Sequence, residues 1–390
     1  MHKKILIVAG EASGDLHAGN LVRALHASAP GLQFYGMGGT QLCAAGTRLT
    51  HDLRRVSVIG LVEVLGRLPA ILRTLRELSV SLRTEKPDLA ILVDFPDFNL
   101  RLATQIKRAG IPVLWYISPQ VWAWRSERIK KIAQLVDHML VILPFEVDFY
   151  RQHGLQVHFV GHPLIDTVRP KLSAQETCAR LELTSDNRLI ALLPGSRMTE
   201  LKLHLPHLRM AAELLYQADT GRRFVIPVAN TLDPDYVYEN VVNAKAPIKV
   251  VQDLTYECLS EADCAVVAAG TATLETALLG TPQIIIGRVN PLTWRIWSRY
   301  TKLPYYGLPN YILGEKLVTE LIQHQASGVG IARAVEQLLT TSDDQARLHE
   351  GYARIRERLG EGGASQRAAA AVLAILAGDR QAYSLVANHC

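Results

Sequence analysis

KILIVAGEASGD, residues 4–15, decides the fold class: a short aliphatic, β-branched run ends at a glycine turn, and a helical pattern continues from about Asp15 to Ser28. The same succession recurs. LAILVDF is followed by a helical stretch over 99–109, PVLWYIS by one over 125–134, and HMLVILP by one over 145–153. Continuous apolar strands alternating with helices are what a parallel sheet covered on both faces requires. After a polar stretch near 170–187 the rhythm restarts, with RLIALLPGS, RRFVIPVAN, IKVVQD, DCAVVAAG and PQIIIG as strands and helices over about 200–218, 271–279 and 328–339. The chain therefore reads as α/β, with two doubly wound, Rossmann-like domains facing a central cleft and a linker around 162–187. The domains are residues 1–168 and 169–340; a helical, Ala-rich tail, 341–390, packs back across them. Ligands of open α/β sheets bind beyond the carboxyl ends of the strands, so the strand-end turns are where chemistry is sought.

The 390 residues are 48% hydrophobic and 20% charged, with a formal net charge of +5. These values exclude a disordered chain, a collagen-like repeat and a disulfide scaffold. Basic residues are scattered and fit no nucleic-acid-binding motif, so no nucleic acid is expected as partner; a phosphate-bearing ligand or an anionic membrane surface suits the mild charge. The five cysteines, Cys43, Cys178, Cys258, Cys264 and Cys390, form no C-x-x-C pair, which points to a reducing compartment rather than disulfides or zinc. The N-terminal apolar run is too short for a signal peptide, and no stretch approaches the ~20 residues of a membrane span. The expectation is a cytoplasmic protein that rests on a membrane without crossing it.

Four turns carry candidate chemistry. VAGEASGD resembles a phosphate cradle, its glycines letting backbone approach a ligand, but lacks both G-x-G-x-x-G and the Walker lysine; it suits equally a tight turn in which Ser13 or Asp15 caps the helix, and either way Ser13 and Gly14 stand at the cleft edge. DFPDFN places Asp94 and Asp97 at the end of a buried strand, where burial can raise a carboxyl pKa and make a general base, although Asp97 equally suits a helix N-cap. Asp88, at the opposite end of that strand, is structural. SPQVWAWR sets Trp122, Trp124 and Arg125 in a loop, indole faces for a sugar ring and a guanidinium for a phosphate, with one tryptophan equally suited to the core. In LLPGSRMTE, Ser196 and Arg197 stand at the mouth of a helix, and guanidinium plus helix-start amides bind a pyrophosphate without metal. In AAGTATLE, Gly270 and Thr271 open another helix. Thr271 and Thr273 can donate to phosphate oxygens and Glu275 can accept from ribose hydroxyls. Two phosphate-ready helix starts on successive units of one domain argue for a nucleotide diphosphate.

A stripe of Leu61, Leu65, Leu68, Leu72 and Leu75 at helical spacing, flanked by Arg67, Arg73, Arg76 and Arg83, suits an anionic membrane or acyl chains as well as a core-facing helix. LTWRIWSRYTK mixes Trp294 and Trp297 with arginine and lysine, an interfacial composition.

GEASGD (10–15), GLVEVLGRLP (60–69), DFPDFN (94–99), SPQVWAWR (118–125), LPFE (143–146), GHP (161–163), LLPGSR (192–197), GTATLE (270–275) and LPN (308–310), taken in order over most of the chain, resemble the lipid-A-disaccharide synthases, glycosyltransferases of the two-Rossmann-domain GT-B architecture. The resemblance implies transfer of 2,3-diacylglucosamine from UDP-2,3-diacylglucosamine to the 6-hydroxyl of 2,3-diacylglucosamine 1-phosphate at the inner face of the inner membrane, with its anionic lipids and a second copy of the chain as partners. It implies Asp97 as general base, Arg197 at the UDP phosphates, Glu275 and Asn310 at the nucleotide, and Ser13 in the first glycine turn. Pro163 stands where the family's segment has a hydroxyl residue, so no role needing that hydroxyl carries over, and His162 reads as hinge-lining. An α-linked donor giving a β-glycoside inverts, so one base and one stabilised leaving group suffice. No Asp-x-Asp pair lies near the diphosphate motifs, so neither metal nor cofactor is expected. A GT-B enzyme on another UDP-sugar, such as a UDP-N-acetylglucosamine 2-epimerase or the peptidoglycan-type transferase, is the alternative, and a sugar-nucleotide binding module without turnover the alternative of another class.

Overall fold

The computed structural model describes residues 3–53, 61–119, 121, 128–229, 232–291, 294–295 and 304–378, without the side chains of 12 and 61–67. The chain divides into two compact units, Met1–Pro163 with Leu359–Cys390, and Leu164–Arg358. The division falls a few residues ahead of the boundary expected after residue 168, and the tail expected as one piece is split at Leu359.

The first unit runs β1 (Lys4–Ala9), α1 (Ala12–Ser28), β2 (Gln33–Gly38), α2 (Thr40–Ala44), β3 (Arg48–Asp52), α3 (Leu61–Glu85), β4 (Leu89–Val93), α4 (Pro96–Arg108), β5 (Val113–Tyr116), α5 (Arg128–Leu135), β6 (His138–Val141), α6 (Phe145–Arg151) and β7 (Gln156–Phe159). Its seven strands are parallel in the order β3-β2-β1-β4-β5-β6-β7. Alternate residues of the same strands enter two separate cores. Leu6, Val8, Leu92, Trp115 and Met139 face one side, and Ile5, Ile7, Ile91, Leu114 and Leu140 face the other. On the second side the helix Ala364–Ala377 lies against α1. Its Ala368, Ala369, Ala371 and Val372 share one core with Leu21, Val22 and Leu25, because alanines let two helices and a sheet approach closely.

The second unit runs α7 (Leu164–Thr167), α8 (Ala174–Leu181), β8 (Arg188–Leu193), α9 (Met198–Ala218), β9 (Arg222–Val228), α10 (Pro234–Val241), β10 (Ile248–Gln252), α11 (Thr255–Glu261), β11 (Cys264–Ala268), α12 (Thr271–Leu279) and β12 (Gln283–Gly287), then the helix Leu308–Leu313, β13 (Thr319–Ile322) and the helices Gly328–Thr340 and Ser342–Leu359. Its parallel order is β10-β9-β8-β11-β12-β13. The polar stretch read as linker contains α8, opened by a reciprocal capping box between Ser173 and Glu176.

In both sheets the first strand lies inside the sheet and the strand order reverses beside it, at β1/β4 and at β8/β11. There the chain leaves neighbouring strands toward opposite faces and opens a crevice at their carboxyl ends.

The start of α1 differs from the sequence reading. α1 begins at Ala12, so Ser13 and Gly14 lie inside its first turn, and its N-cap, Glu11, makes no side-chain cap. Asp15 caps a different helix. Its buried carboxylate accepts from the N–H groups of Gly39 (2.7 Å), Gln41 (2.9 Å) and Leu42 (3.2 Å), satisfying the start of α2 from across the sheet edge. Removing that acceptor strands amides inside the protein, at roughly 1–3 kcal/mol for each buried group left unpaired. Asp15→Ala is therefore expected to lower the thermal midpoint by several degrees, with Asp15→Asn losing less. Equal midpoints for wild type and Asp15→Ala in a calorimetric scan would contradict this capping role.

Candidate active site

The β1 and β4 ends are in register, Ala9 beside Val93. Gly10 follows β1 because the Phe95 ring lies where its side chain would be: a Cβ there would stand 2.1 Å from Phe95 Cδ1. Asp94 and Phe95 both adopt left-handed backbone, φ 45° and 50°, a costly conformation for non-glycine residues. Asn99, wholly buried one turn into α4, clamps that turn by donating from Nδ2 to the carbonyls of Val93 (3.3 Å) and Asp94 (2.7 Å).

The strained turn carries two carboxylates in different surroundings. Burial first, and then the negative charge of Glu11, push the Asp94 carboxyl up to about 7. Asp97, in the first turn of α4 behind Pro96, is 72% exposed and accepts from the Arg128 guanidinium at 2.5 Å. Ser13 is exposed. Gly14 is buried over Ala9 and Val93, so it seats α1 on the sheet and does not line the crevice as expected. Trp124 and Arg125, with Trp122, lie outside the described residues. Their loop is anchored where it leaves β5. Ile117 is left-handed (φ 62°), Ser118 donates to Glu146 of the LPFE segment (2.5 Å), and Tyr150 donates to the Pro119 carbonyl (2.8 Å). His162 is buried, and desolvation pulls it down to about 3, so it is neutral.

In the second unit the PGSR turn after β8 holds Gly195 at φ 117° and leaves Ser196 and Arg197 exposed, with Arg197 as N-cap of α9. Glu200 receives Ser196 N–H (3.0 Å) and the Arg197 guanidinium (3.1 Å). His204, buried one turn further on, ties this turn to the end of β12. Its Nδ1 bonds the Pro194 carbonyl (2.7 Å) and its Nε2 accepts from Arg288 N–H (3.0 Å), which requires the neutral Nδ1–H tautomer; burial pulls its pKa down accordingly.

After β11, Ala269, Gly270 and Thr271 are exposed at the start of α12. Thr273 is not a phosphate donor, because it is fully buried and its hydroxyl donates to the Gly270 carbonyl (2.7 Å). Glu275 is mostly buried; desolvation raises its pKa, and the Tyr256 hydroxyl donates to it at 3.1 Å. Asn310, expected at the nucleotide, is spent on the scaffold. Its amide donates to Val318 O and Glu320 (both 2.8 Å) and accepts from Leu317 and Val318 N–H (2.9 and 2.7 Å), which leaves no capacity for a ligand. It fixes the LPN turn together with Glu320, which also receives the N–H groups of Tyr306 and Gly307.

On α3 the leucine stripe divides. Leu78 and Leu82 are core, with Ile71 and Leu75 packed against it, whereas Leu68 and Leu72 are exposed (36% and 47%). The side chains of Leu61 and Leu65, and all of Trp297, lie outside the described residues; Trp294 is half-buried, 6.2 Å from the Tyr306 ring. Among the described residues no cluster of His, Cys, Asp or Glu could hold a metal, and no helix is long and apolar enough to cross a membrane.

Two parallel sheets of this order, each with its polar turns at the reversal, form the α/β architecture of GT-B glycosyltransferases. Among solved structures, UDP-GlcNAc 2-epimerase from Neisseria meningitidis, crystallised with UDP-GlcNAc, aligns with a TM-score of 0.67 at 13% identity over 95% of this chain and 99% of its own. MurG from Acinetobacter baumannii aligns with a TM-score of 0.57, also at 13% identity, over 94% and 98%. Residues 5–375 match the lipid-A-disaccharide synthetase family. The lipid-A-disaccharide synthases of Syntrophus aciditrophicus and Myxococcus xanthus are 44% and 43% identical over 375 and 373 residues, covering 96% of this chain in each case and 98% and 97% of theirs. The chain belongs to the lipid-A-disaccharide synthase family and is a glycosyltransferase.

Asp94 yields a prediction with a definite sign. Its folded pKa lies above the unfolded value of 3.8, so its contribution to stability is full below that value and is lost as pH rises through about 7. Asp94→Asn should raise the thermal midpoint by several degrees at pH 8 relative to wild type, and by clearly less at pH 5. The same difference at both pH values in a fluorimetric scan would show that this carboxyl is not held protonated.

Proposed function

We propose that this enzyme transfers 2,3-diacylglucosamine from UDP-2,3-diacylglucosamine to the 6-hydroxyl of 2,3-diacylglucosamine 1-phosphate, releasing UDP and forming the β-1,6 disaccharide 1-phosphate. The observation that carries the reading is the division of polar groups between the two strand-order reversals. Carboxylates stand at β1/β4, and an exposed arginine with open helix-start amides stands at β8/β11. One reversal suits proton removal from an acceptor hydroxyl, and the other suits a leaving diphosphate.

Asp97 takes the acceptor proton as the hydroxyl attacks the anomeric carbon, and Arg128 fixes the direction of its carboxylate. Arg197, Ser196 N–H and the amides at Gly270 and Thr271 receive the charge that develops on the diphosphate as the glycosidic bond breaks. Glu275, oriented by Tyr256, accepts from the ribose hydroxyls. One in-line displacement inverts the anomeric centre without a covalent intermediate. The exposed Leu68 and Leu72, with Arg73, Arg76 and Arg83 further along α3, form the surface by which the enzyme reaches acylated substrates on an anionic inner-membrane face.

Purified protein with both acyl substrates and EDTA should yield UDP and disaccharide by mass spectrometry. Asp97→Asn should lose on the order of 100-fold or more in turnover while keeping its affinity for UDP. Donor binding without disaccharide would redirect the reading to another acceptor or to epimerisation. In flotation with anionic liposomes, Leu68→Ser with Leu72→Ser should shift protein from the floating to the bottom fraction; unchanged flotation would remove α3 from the docking surface.

A further inference from the structure

Glu200 stands at the third position of α9, and its carboxylate is folded back onto the PGSR turn instead of pointing along the helix. One oxygen accepts from Ser196 N–H at 3.0 Å and the other from the Arg197 guanidinium at 3.1 Å. The turn is shaped around it. Gly195 adopts φ 117°, and a Cβ there would lie 2.3 Å from Glu200 Oε2 and 2.8 Å from Glu200 Cβ, so a side chain at 195 would expel the carboxylate. The Glu200 side chain is 25% exposed, less than the 48% of the arginine it holds. Its charge also reaches His204, the residue that clasps the same turn to the end of β12.

An acidic side chain in the first turn of a helix is commonly only a favourable partner for the helix dipole. Here it has engaged one main-chain donor and one cation, the pair assigned above to the leaving diphosphate. A diphosphate there competes with the carboxylate, because Ser196 has a single N–H to give and like charges a few ångströms apart in a partly buried site repel by several times the thermal energy.

We infer that Glu200 is an internal counter-anion of the diphosphate site: it keeps Ser196 N–H and Arg197 in place, gives them up when the nucleotide diphosphate arrives, and retakes them to help UDP leave. Its role is that of a positioning and release residue, and it rests on the assignment of Ser196 and Arg197 to the diphosphate. An enzyme that held UDP with the full strength of these donors would trap its product, and ground-state affinity of that kind adds nothing to turnover.

The test uses the full-length enzyme and isothermal titration with UDP and with uridine. Glu200→Gln keeps a hydrogen-bond acceptor for Ser196 N–H and removes the charge. It should bind UDP roughly tenfold more tightly, with uridine affinity unchanged, and show correspondingly stronger product inhibition by UDP. Glu200→Asp, which keeps the charge but withdraws it by one methylene, should fall between. UDP affinity that is unchanged or weaker in Glu200→Gln, at a thermal midpoint near wild type, overturns the exchange and makes Glu200 a simple strut for Arg197. If Glu200→Gln does not fold, Glu200→Asp decides by the same criterion. Arg197→Ala separates the two levels. Weaker UDP binding in that variant upholds the diphosphate assignment whatever Glu200 does, whereas unaltered UDP binding sinks the assignment and the inference together.

Discussion

The reversal of strand order beside β1 and beside β8 is the constraint on which the rest of the molecule depends. Parallel strands must be joined by crossovers, and crossovers that begin in mid-sheet and run first one way, then the other, leave two adjacent strand ends with no loop across them. The turns after β1, β4, β8 and β11 project from such pairs of ends, whereas the SPQVWAWR segment follows β5 and the LPN turn lies between β12 and β13. The side chains beneath are almost wholly aliphatic: Ile5, Ile7, Ile91, Leu92, Ile190 and Val266 are fully buried, so the turns stand on a rigid floor. Left-handed backbone at Asp94, Phe95 and Ile117 stands at the carboxyl ends of β4 and β5, and the groups that hold it, Asn99, Ser118 and Glu146, are buried.

The two reversals differ in chemistry although they share a topology. Around β1 and β4 stand the acids Asp94 and Asp97, the second paired with Arg128, and burial first and the charge of Glu11 second push Asp94 up to about 7. Around β8 and β11 they are N–H donors and arginines, with the carboxylate of Glu200 compensating them and the neutral His204 joining β8 to β12. In the reaction proposed above, proton removal and anion handling fall to separate sheets, so substitutions at one leave the other's scaffold in place.

What could be read from the sequence follows from the same physics. Strands buried on both faces announce themselves as unbroken aliphatic runs, and the turns that close them stand out by glycine and charge, so the class and the positions of DFPDFN, PGSR and GTATLE were legible. β3 and β13 were not. They lie at sheet edges, only partly buried, and RLTHD and TELI carry no apolar run. β2, QFYGMG, is inside the sheet but is broken by glycine, and Gly36 is required because a Cβ would stand 2.0 Å from the Ile7 carbonyl. Among site residues, Asp15 and His204 find partners on elements far along the chain, Gly39 to Leu42 and Arg288, and nothing local indicates which amide a buried carboxylate or imidazole will meet. Asn310 is the instructive case: a polar residue in a motif looks like a ligand contact until its four hydrogen bonds are counted inside the protein.

The helix Ala364–Ala377 also bears on how this protein is made. It covers Leu21, Val22 and Leu25 of α1, yet it leaves the ribosome only after the second unit. At synthesis rates of about 5–20 residues per second, the apolar face of α1 waits on the order of ten seconds or longer for its cover. During that interval the second unit, contiguous in sequence, can fold to completion, while the first keeps an unfinished surface of the kind that chaperones bind. The order of completion therefore runs against the order of translation: of the two units, the one begun first is completed last.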